Sequence, residues 1–600
     1  MFARDARRIA AALLLSLASA TPLSAHAAKA KPAATPLAKD ASDPRLKVLD
    51  ALQKELDRRP RLTTEGFEPP YYVSYLLRDV HRMNISGKYG ALYDSNEDRG
   101  RNLYANVRVG SYDLDSSGEG GFEFNFDPDT DYGSLFNYVR APIDDDADAL
   151  RDALWLLTDY KYKEALQTFL QKKGKTVYSV AKKVPVADFT KEPPLKQVGP
   201  RINAKMDRAY WEGMVRSEGL YLKNFPQVFD SGVTATVQKT TKYFVSSEGS
   251  QLVSDEVLYA VSANALTRAE DGQLLEGTRT WYAHEFADLP DAPTIHREME
   301  KMVDELMKQR DAEVIPPYSG PAVLAPRVTG VFFHEAIGHR LEGKRQRSDK
   351  EGQTFKDKIG QPVIPSFLTV LDDPSVAKYE KTDLNGYYPF DDEGVPSKPI
   401  TLIQSGVLRN FLLSRLPIEG FDRSNGHGRN ASFEDPMGRM ANLIVKGDKP
   451  VSDEKLKSML IAEAKRQGKT FGVWIEEVAG GETNTQRGDI QAFHGIPTRM
   501  FKVDVETGKM TLVRGAEFIG TPLTVISKIM ATGQKSDVFN GFCGAESGYV
   551  PVSTVAPAVL LEELELQRSA SEKRKSPLLP PPAFDTKAPS PDPAPPRTKT

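Results

Sequence analysis

Val331-Phe332-Phe333-His334-Glu335-Ala336-Ile337-Gly338-His339-Arg340-Leu341-Glu342-Gly343 sets two imidazoles around a carboxylate inside an apolar, helix-like run. That is the local chemistry of a zinc hydrolase. The histidines are five residues apart, however, and not the four of the common zinc helix. Positions i and i+4 of a regular α-helix nearly eclipse, whereas i and i+5 diverge by roughly 140°. Both imidazoles reach one metal only where the helix bulges or ends between them. Gly338, just before the second histidine, is the residue most permissive of such a distortion.

Hydrolysis of an amide needs a nucleophile, a place for the oxyanion and a proton donor for the leaving amine. A zinc site supplies the first two, by acidifying a water and polarising a carbonyl. His334 and His339 then account for two of three protein ligands. With both flanking histidines aimed at the metal, Glu335 is free to take a proton from the water and pass it to the leaving nitrogen. The third ligand lies elsewhere. Cys543, the one cysteine of the chain, is the economical choice, because a thiolate is a soft zinc ligand and metal binding would protect a lone thiol. Its surroundings, Asn540-Gly541-Phe542-Cys543-Gly544, read as a glycine-flanked turn. His427, in the flexible-looking Asn425-Gly426-His427-Gly428-Arg429, and His494, near a strand end, are rivals by residue type, better suited to structural roles.

The 600 residues are 40% hydrophobic and 27% charged, with net charge -3 and pI near 6.3. This is the composition of a soluble globular protein of more than one domain, without the clustered basic face that nucleic acid requires. Arg4, Arg7 and Arg8 precede an apolar stretch, 9–17 and on to Leu23, and Ala25-His26-Ala27 offers small residues for a signal peptidase. The stretch is too short and too broken by Ser, Thr and Pro to span a bilayer. Residues 1–27 are therefore expected to be a signal peptide, cleaved near Ala27, of a periplasmic or secreted protein with no stable membrane anchor afterwards. An uncleaved anchor is the alternative.

Residues 28–42, rich in Ala, Lys and Pro, read as a flexible linker. Asp43-Pro44 starts a helix with the stripe Leu46, Leu49, Leu52 and Leu56. Residues 71–110 alternate as strands, 144–173 form a helix with Gly174 as its stop, and 233–281 hold three or four strands with hairpin turns at 246–250 and 270–272. A helix over 294–309 buries Ile295, Met299, Met302, Val303 and Leu306 and ends before Pro316-Pro317, which divides an N-terminal domain, 43–315, from a C-terminal domain, 316–568. The second half is largely β, with one helix capped by Ser452 and stopped by Gly468. Residues 569–600 are expected to be a disordered proline-rich tail.

His334-Glu335-Ala336-Ile337-Gly338-His339-Arg340-Leu341-Glu342-Gly343, Phe390-Asp391-Asp392-Glu393-Gly394-Val395-Pro396, Gly428-Arg429 with Arg439-Met440-Ala441-Asn442, Phe542-Cys543-Gly544 and Val550-Pro551-Val552 together resemble the TldD/PmbA family of metallopeptidases, in its TldD type. The resemblance covers most of residues 320–567. It implies a two-domain α/β (α+β) architecture, Zn2+ held by His334, His339 and Cys543, and Glu335 as catalytic base. It also implies dimers around an enclosed cavity, homomeric or with a family paralogue, and cleavage of unfolded peptides. The stretch after Cys543, Gly544-Ala545-Glu546-Ser547-Gly548-Tyr549, departs from the family's usual Lys- and Gln-containing version, and the signal segment departs from its cytosolic members.

Other signals carry less. Asp127, Asp129 and Asp131 with Gly133 suggest a calcium loop, but the glycine is one place late and Tyr138 stands where the bidentate glutamate belongs. Lys344, Arg345, Arg347 and Lys350 read as a solvated basic loop, with steering of a carboxylate or phosphate as the alternative. Glu342 either hydrogen-bonds a ligand histidine or merely occupies the turn before Gly343. The expected function is zinc-dependent hydrolysis of extended peptides. A non-catalytic peptide-binding scaffold with structural zinc, or a hydrolase of a non-peptide amide or ester, are the competing readings.

Overall fold

The computed structural model describes residues 42–62, 66–117, 139–178, 186–347, 352–485 and 492–569. The calcium-like loop, Lys350, the segment before residue 42 and the tail from 570 onward lie outside them. The architecture is mixed α/β and built on two sheets, of 7 and 12 strands among the described residues.

The smaller sheet is dominated by four long antiparallel strands, Pro70–Lys88, Ala91–Val109, Asp230–Ser246 and Gln251–Arg268. Alternation sorts their side chains. Odd-numbered residues such as Val73, Tyr75, Met83, Ile85, Ala235, Val237, Tyr243 and Val245 are buried under helices. Two of these helices, Arg45–Leu56 and Ala147–Tyr178, cover one end of that face. The other two, Arg208–Tyr221 and Ala292–Asp311, cover the other end. The buried stripe of the last helix is Ile295, Met299, Met302, Val303 and Leu306, as its 3.6-residue period requires. Asp291 caps it by accepting from the Thr294 N–H. The opposite face of the sheet, with Arg78, Val80, Arg82, Gln238, Thr240 and Lys242, looks across a cavity of about 1600 Å³ at the second half of the chain.

The larger sheet is organised on Gly548–Arg568. This strand pairs with Tyr318–Leu324, Ala516–Gly520 and Ile529–Ala545 antiparallel, and with Asn442–Gly447 in parallel. Tyr318–Leu324 pairs in parallel with Phe471–Thr483, which pairs antiparallel with Phe493–Asp504. Glu313–Val314, just ahead of the proline pair, already belongs to this sheet. The helix Asp453–Arg466 starts with the Ser452 hydroxyl accepting from the Lys455 N–H, and Gly468 follows at φ +66°.

Three local expectations are corrected. Gly174 does not stop its helix, which runs on to Tyr178; the cost of a helical glycine relative to alanine is only about 1 kcal/mol. Cys543 lies in the strand Ile529–Ala545 and not in a turn. The turn falls at Glu546 and Ser547, and Gly544 is small because it sits opposite Tyr549, whose ring would meet a Cβ there at 2.9 Å. The stretch around His427 is not a flexible surface turn either, since that imidazole is fully buried.

Candidate metal centre

The apolar helix Pro326–Phe333 packs into the core of the larger unit with Val328, Val331, Phe332 and Phe333. It does not continue as a regular helix. His334–Gly338 is one π-helical turn, and His339–Leu341 a 3₁₀ turn. The His339 N–H donates to the His334 carbonyl, the i to i+5 bond of a π turn. That one wider turn resolves the five-residue spacing, because it stacks residues five apart on one side of the axis. The two imidazoles stand nearly perpendicular, with ring centres 5.1 Å apart.

Gly338 itself has φ −54° and ψ −56°, ordinary right-handed values that any residue adopts. Its glycine is demanded by space. A Cβ there would overlap the Met440 side chain, which fills the site from the neighbouring segment.

The strand Ile529–Ala545 brings Cys543 to the π turn. Its Sγ is 3.1 Å from His334 Nε2 and 3.3 Å from His339 Nε2, and the three atoms lie within 4.8 Å of one another. A tetrahedral zinc would hold such nitrogen and sulfur atoms about 3.5 Å apart. The donor set therefore fits a metal of that size, with a few tenths of an ångström of adjustment. His427 and His494 are not brought there. His427 is held between Asn425 and Asp372, with Nε2 3.3 Å from Asp372 Oδ1. His494 pairs with Glu517 at 2.8 Å.

Glu335 points beside the three donors, its Oε2 3.9 Å from His339 Nε2. Burial pushes its carboxyl above the usual range, against the pull of the two imidazoles. Burial would also raise the Cys543 thiol, but His339 and His334 override it and hold the thiol well below its ordinary value. The site thus favours a thiolate, the metal-binding form. Phe471–Thr483 crosses close behind the glutamate: a Cβ on Gly481 would stand 2.9 Å from Glu335 Cγ and 2.8 Å from Val331 Cγ1.

The surroundings of the donors are buried and charged. Glu342 Oε1 lies 3.1 Å from His339 Nδ1, so this side chain orients a ring rather than merely filling a turn. Burial alone would raise its carboxyl; His339, Arg345 and Arg439 hold it below the usual range. Arg345 and Arg347 correct the expectation of a solvated basic loop. Arg345 is buried, donating to Glu342 at 2.8 Å and to Glu546 at 3.0 and 3.1 Å. Arg347 donates to Asp188 and to the Ala187 and Pro417 carbonyls. Charge composition alone marks such side chains as exposed, and only the tertiary partners reveal them as structural. Arg340, buried as well, donates to the Glu335 carbonyl at 2.7 Å and the Thr483 hydroxyl at 3.0 Å.

Residues 317–568 match the PmbA/TldA metallopeptidase C-terminal domain. The chain is 32% identical over 249 residues to a metalloprotease TldD homolog of Haemophilus influenzae, covering 41% of this chain and 47% of that protein. It is 23% identical over 327 residues to a zinc metalloprotease TldD homolog of Saccharolobus solfataricus, covering 54% of this chain and 68% of that protein. The chain thus spans about half the length of the first of these relatives. The crystal structure of TldE from Thermococcus kodakarensis superposes with a TM-score of 0.57 at 12% identity, over 86% of this chain and 99% of that one; it shares the fold.

This kinship corrects one expectation. Residues 1–27 as a signal peptide, and a periplasmic protein with them, conflict with the TldD homologues to which the chain is related. An arginine-led apolar run is not diagnostic of export by itself. Among the described residues no helix is long and apolar enough to cross a membrane. Residues 317–568 thus match a PmbA/TldA metallopeptidase C-terminal domain, and the chain is similar in sequence to TldD metalloproteases and in fold to TldE.

Proposed function

We propose that the protein is a zinc-dependent peptidase in which His334, His339 and Cys543 hold the metal and Glu335 is the general base. The observation that carries this reading is the convergence of three buried donor atoms within 4.8 Å, with the Glu335 carboxylate beside them. When bound there, zinc supplies a Lewis acid for a carbonyl oxygen and a water acidified toward a pKa of about 7. Glu335 would take a proton from a water at the site and deliver it to the leaving amine nitrogen. Its burial raises the carboxyl above its ordinary value, the direction that strengthens it as a proton acceptor. The substrate is an unfolded polypeptide, held extended beside a strand of the larger sheet, where backbone pairing tolerates many sequences. The working unit is a dimer, of two copies or with a family paralogue.

The test uses the full chain and an unstructured protein such as casein. Elemental analysis should find zinc, and replacement of His334, His339 or Cys543 should remove it. Glu335→Gln should keep zinc and lose turnover by about 10²–10⁴-fold, the usual span of a general base. Mass spectrometry of the products should show chelator-sensitive backbone cleavage. Full turnover by the zinc-loaded Glu335→Gln variant would remove Glu335 from the mechanism. Intact casein with and without chelator would point instead to a scaffold with structural zinc, or to a non-peptide substrate.

A further inference from the structure

The halves of this donor set lie 204 residues apart in sequence, and no stretch of backbone joins them locally. One buried side chain reaches both, the cysteine half directly and the histidine half through Glu342. The Arg439 guanidinium donates from Nη2 to the Cys543 carbonyl at 2.7 Å. Its Nη1 donates to the Ser547 hydroxyl and the Gly548 carbonyl, both at 2.9 Å, closing the hairpin that presents Cys543. Its Nε forms an ion pair with Glu342 Oε1 at 3.2 Å. That same oxygen lies 3.1 Å from His339 Nδ1. Arg439 and Glu342 are both fully buried, at 0% exposure.

The segment that carries Arg439 is itself fixed. The Arg439 N–H donates to the His427 carbonyl, and Arg429 donates to the Met440 carbonyl. Gly438 lies so close to the Leu412 carbonyl that a Cβ would overlap it. Met440, the next residue after Arg439, fills the space that Gly338 leaves open beside the π turn. From adjacent positions, Met440 therefore braces the histidine turn, and Arg439 the cysteine strand and Glu342.

We infer that Arg439 is a positioning residue for the metal centre, fixing Cys543 relative to His339 through the Cys543 carbonyl on one side and Glu342 on the other. The inference rests on the metal site proposed above. A planar guanidinium suits this task, since it serves three acceptors in fixed directions while its Nε stands beside the Glu342 carboxylate, whereas an ammonium is a compact point charge. Groups that orient ligands in this way typically carry 10–100-fold in metal affinity.

The experiment titrates the full-length apoprotein with Co2+ and follows the thiolate-to-cobalt charge-transfer band, in the parent and in Arg439→Met, Arg439→Lys and Glu342→Gln. Leu456→Ala, a core change on the helix Asp453–Arg466, serves as a control for general destabilisation. Arg439→Met should lower cobalt affinity by about 10–100-fold and shift the charge-transfer band. Arg439→Lys should recover part of the loss, Glu342→Gln should weaken binding in the same direction, and Leu456→Ala should leave band and affinity as in the parent. If Arg439→Met does not fold, the lysine and glutamine variants decide. Parental affinity and spectrum in the folded Arg439 variants, or an equal loss in Leu456→Ala, would overturn the positioning role while leaving the donor set intact. A parent with no thiolate band would overturn the metal site itself, and the inference with it.

Discussion

A methyl group on Gly338 would overlap the Met440 sulfur, although the backbone there is ordinary right-handed helix. Alanine at this position therefore meets no conformational barrier and a severe steric one. Overpacking of this kind costs about 1–3 kcal/mol, and relief must come from Met440 or from the π turn. Gly338→Ala is expected to lower stability in that range, measured by denaturant unfolding, and to lower metal content because the turn sets the angle between the histidines. Gly338→Ala combined with Met440→Ala should be less destabilised than the sum of the two single variants. A single variant with parental stability and metal content would mean that the turn does not depend on this contact. The histidine spacing, visible in the sequence, announces that the helix must deviate. Why the deviation falls at Gly338 is not visible there, because Met440 lies about a hundred residues further along the chain.

At the scale of elements, the glutamate is placed by a strand as much as by its own turn. Phe471–Thr483 passes so near that a Cβ on Gly481 would press on Glu335 Cγ and Val331 Cγ1. The three donor atoms are not on that strand. Gly481→Ala should therefore retain zinc while kcat falls, by up to about 10²-fold for a displacement near 1 Å. Elemental analysis and steady-state kinetics on the same preparation check this; an unchanged kcat would show that Glu335 has room to move without loss. The existence of most elements is legible in the sequence, for a physical reason. The stripe from Ile295 to Leu306 and the alternation along the latter part of Gln251–Arg268 report burial directly in their periods. Cys543 reads as a turn residue because its neighbouring glycines signal chain reversal locally, whereas Gly544 makes room for a ring across the hairpin. Arg345 and Arg439 are opaque in their roles for the same kind of reason. A buried arginine is identified by its partners, and Glu546 for one and the Cys543 carbonyl for the other lie far away in sequence.

Across the whole molecule, the two units are tied by buried charge. Arg415 donates to both oxygens of Glu248 at 2.8 Å and to the Tyr72 hydroxyl at 3.0 Å, reaching into the smaller sheet and its loops. Asp392 answers from the larger unit, facing Arg78 at 3.0 Å and Lys242 at 3.3 Å, and these cations hold its carboxyl down at about 2 against the effect of burial. Its neighbour Glu393 behaves oppositely. It accepts the Arg415 N–H, but burial pushes its carboxyl up to about 7. The ordinary value, 4.5, belongs to the unfolded chain. Below about 4.5 both states carry the proton and this group adds no pH dependence. Between about 4.5 and 7 the unfolded chain has released the proton that the folded chain keeps, so stability falls as pH rises, and above 7 the loss is complete. Glu393→Gln carries no charge at any pH, and its amide oxygen can still accept the Arg415 N–H. Its stability relative to the parent should therefore rise between pH 5 and pH 8, by at most about 3 kcal/mol, as read from urea unfolding at each pH. A difference that stays constant over that interval would mean that Glu393 is already ionised in the folded protein, with Arg415 compensating its charge as Arg78 and Lys242 compensate that of Asp392.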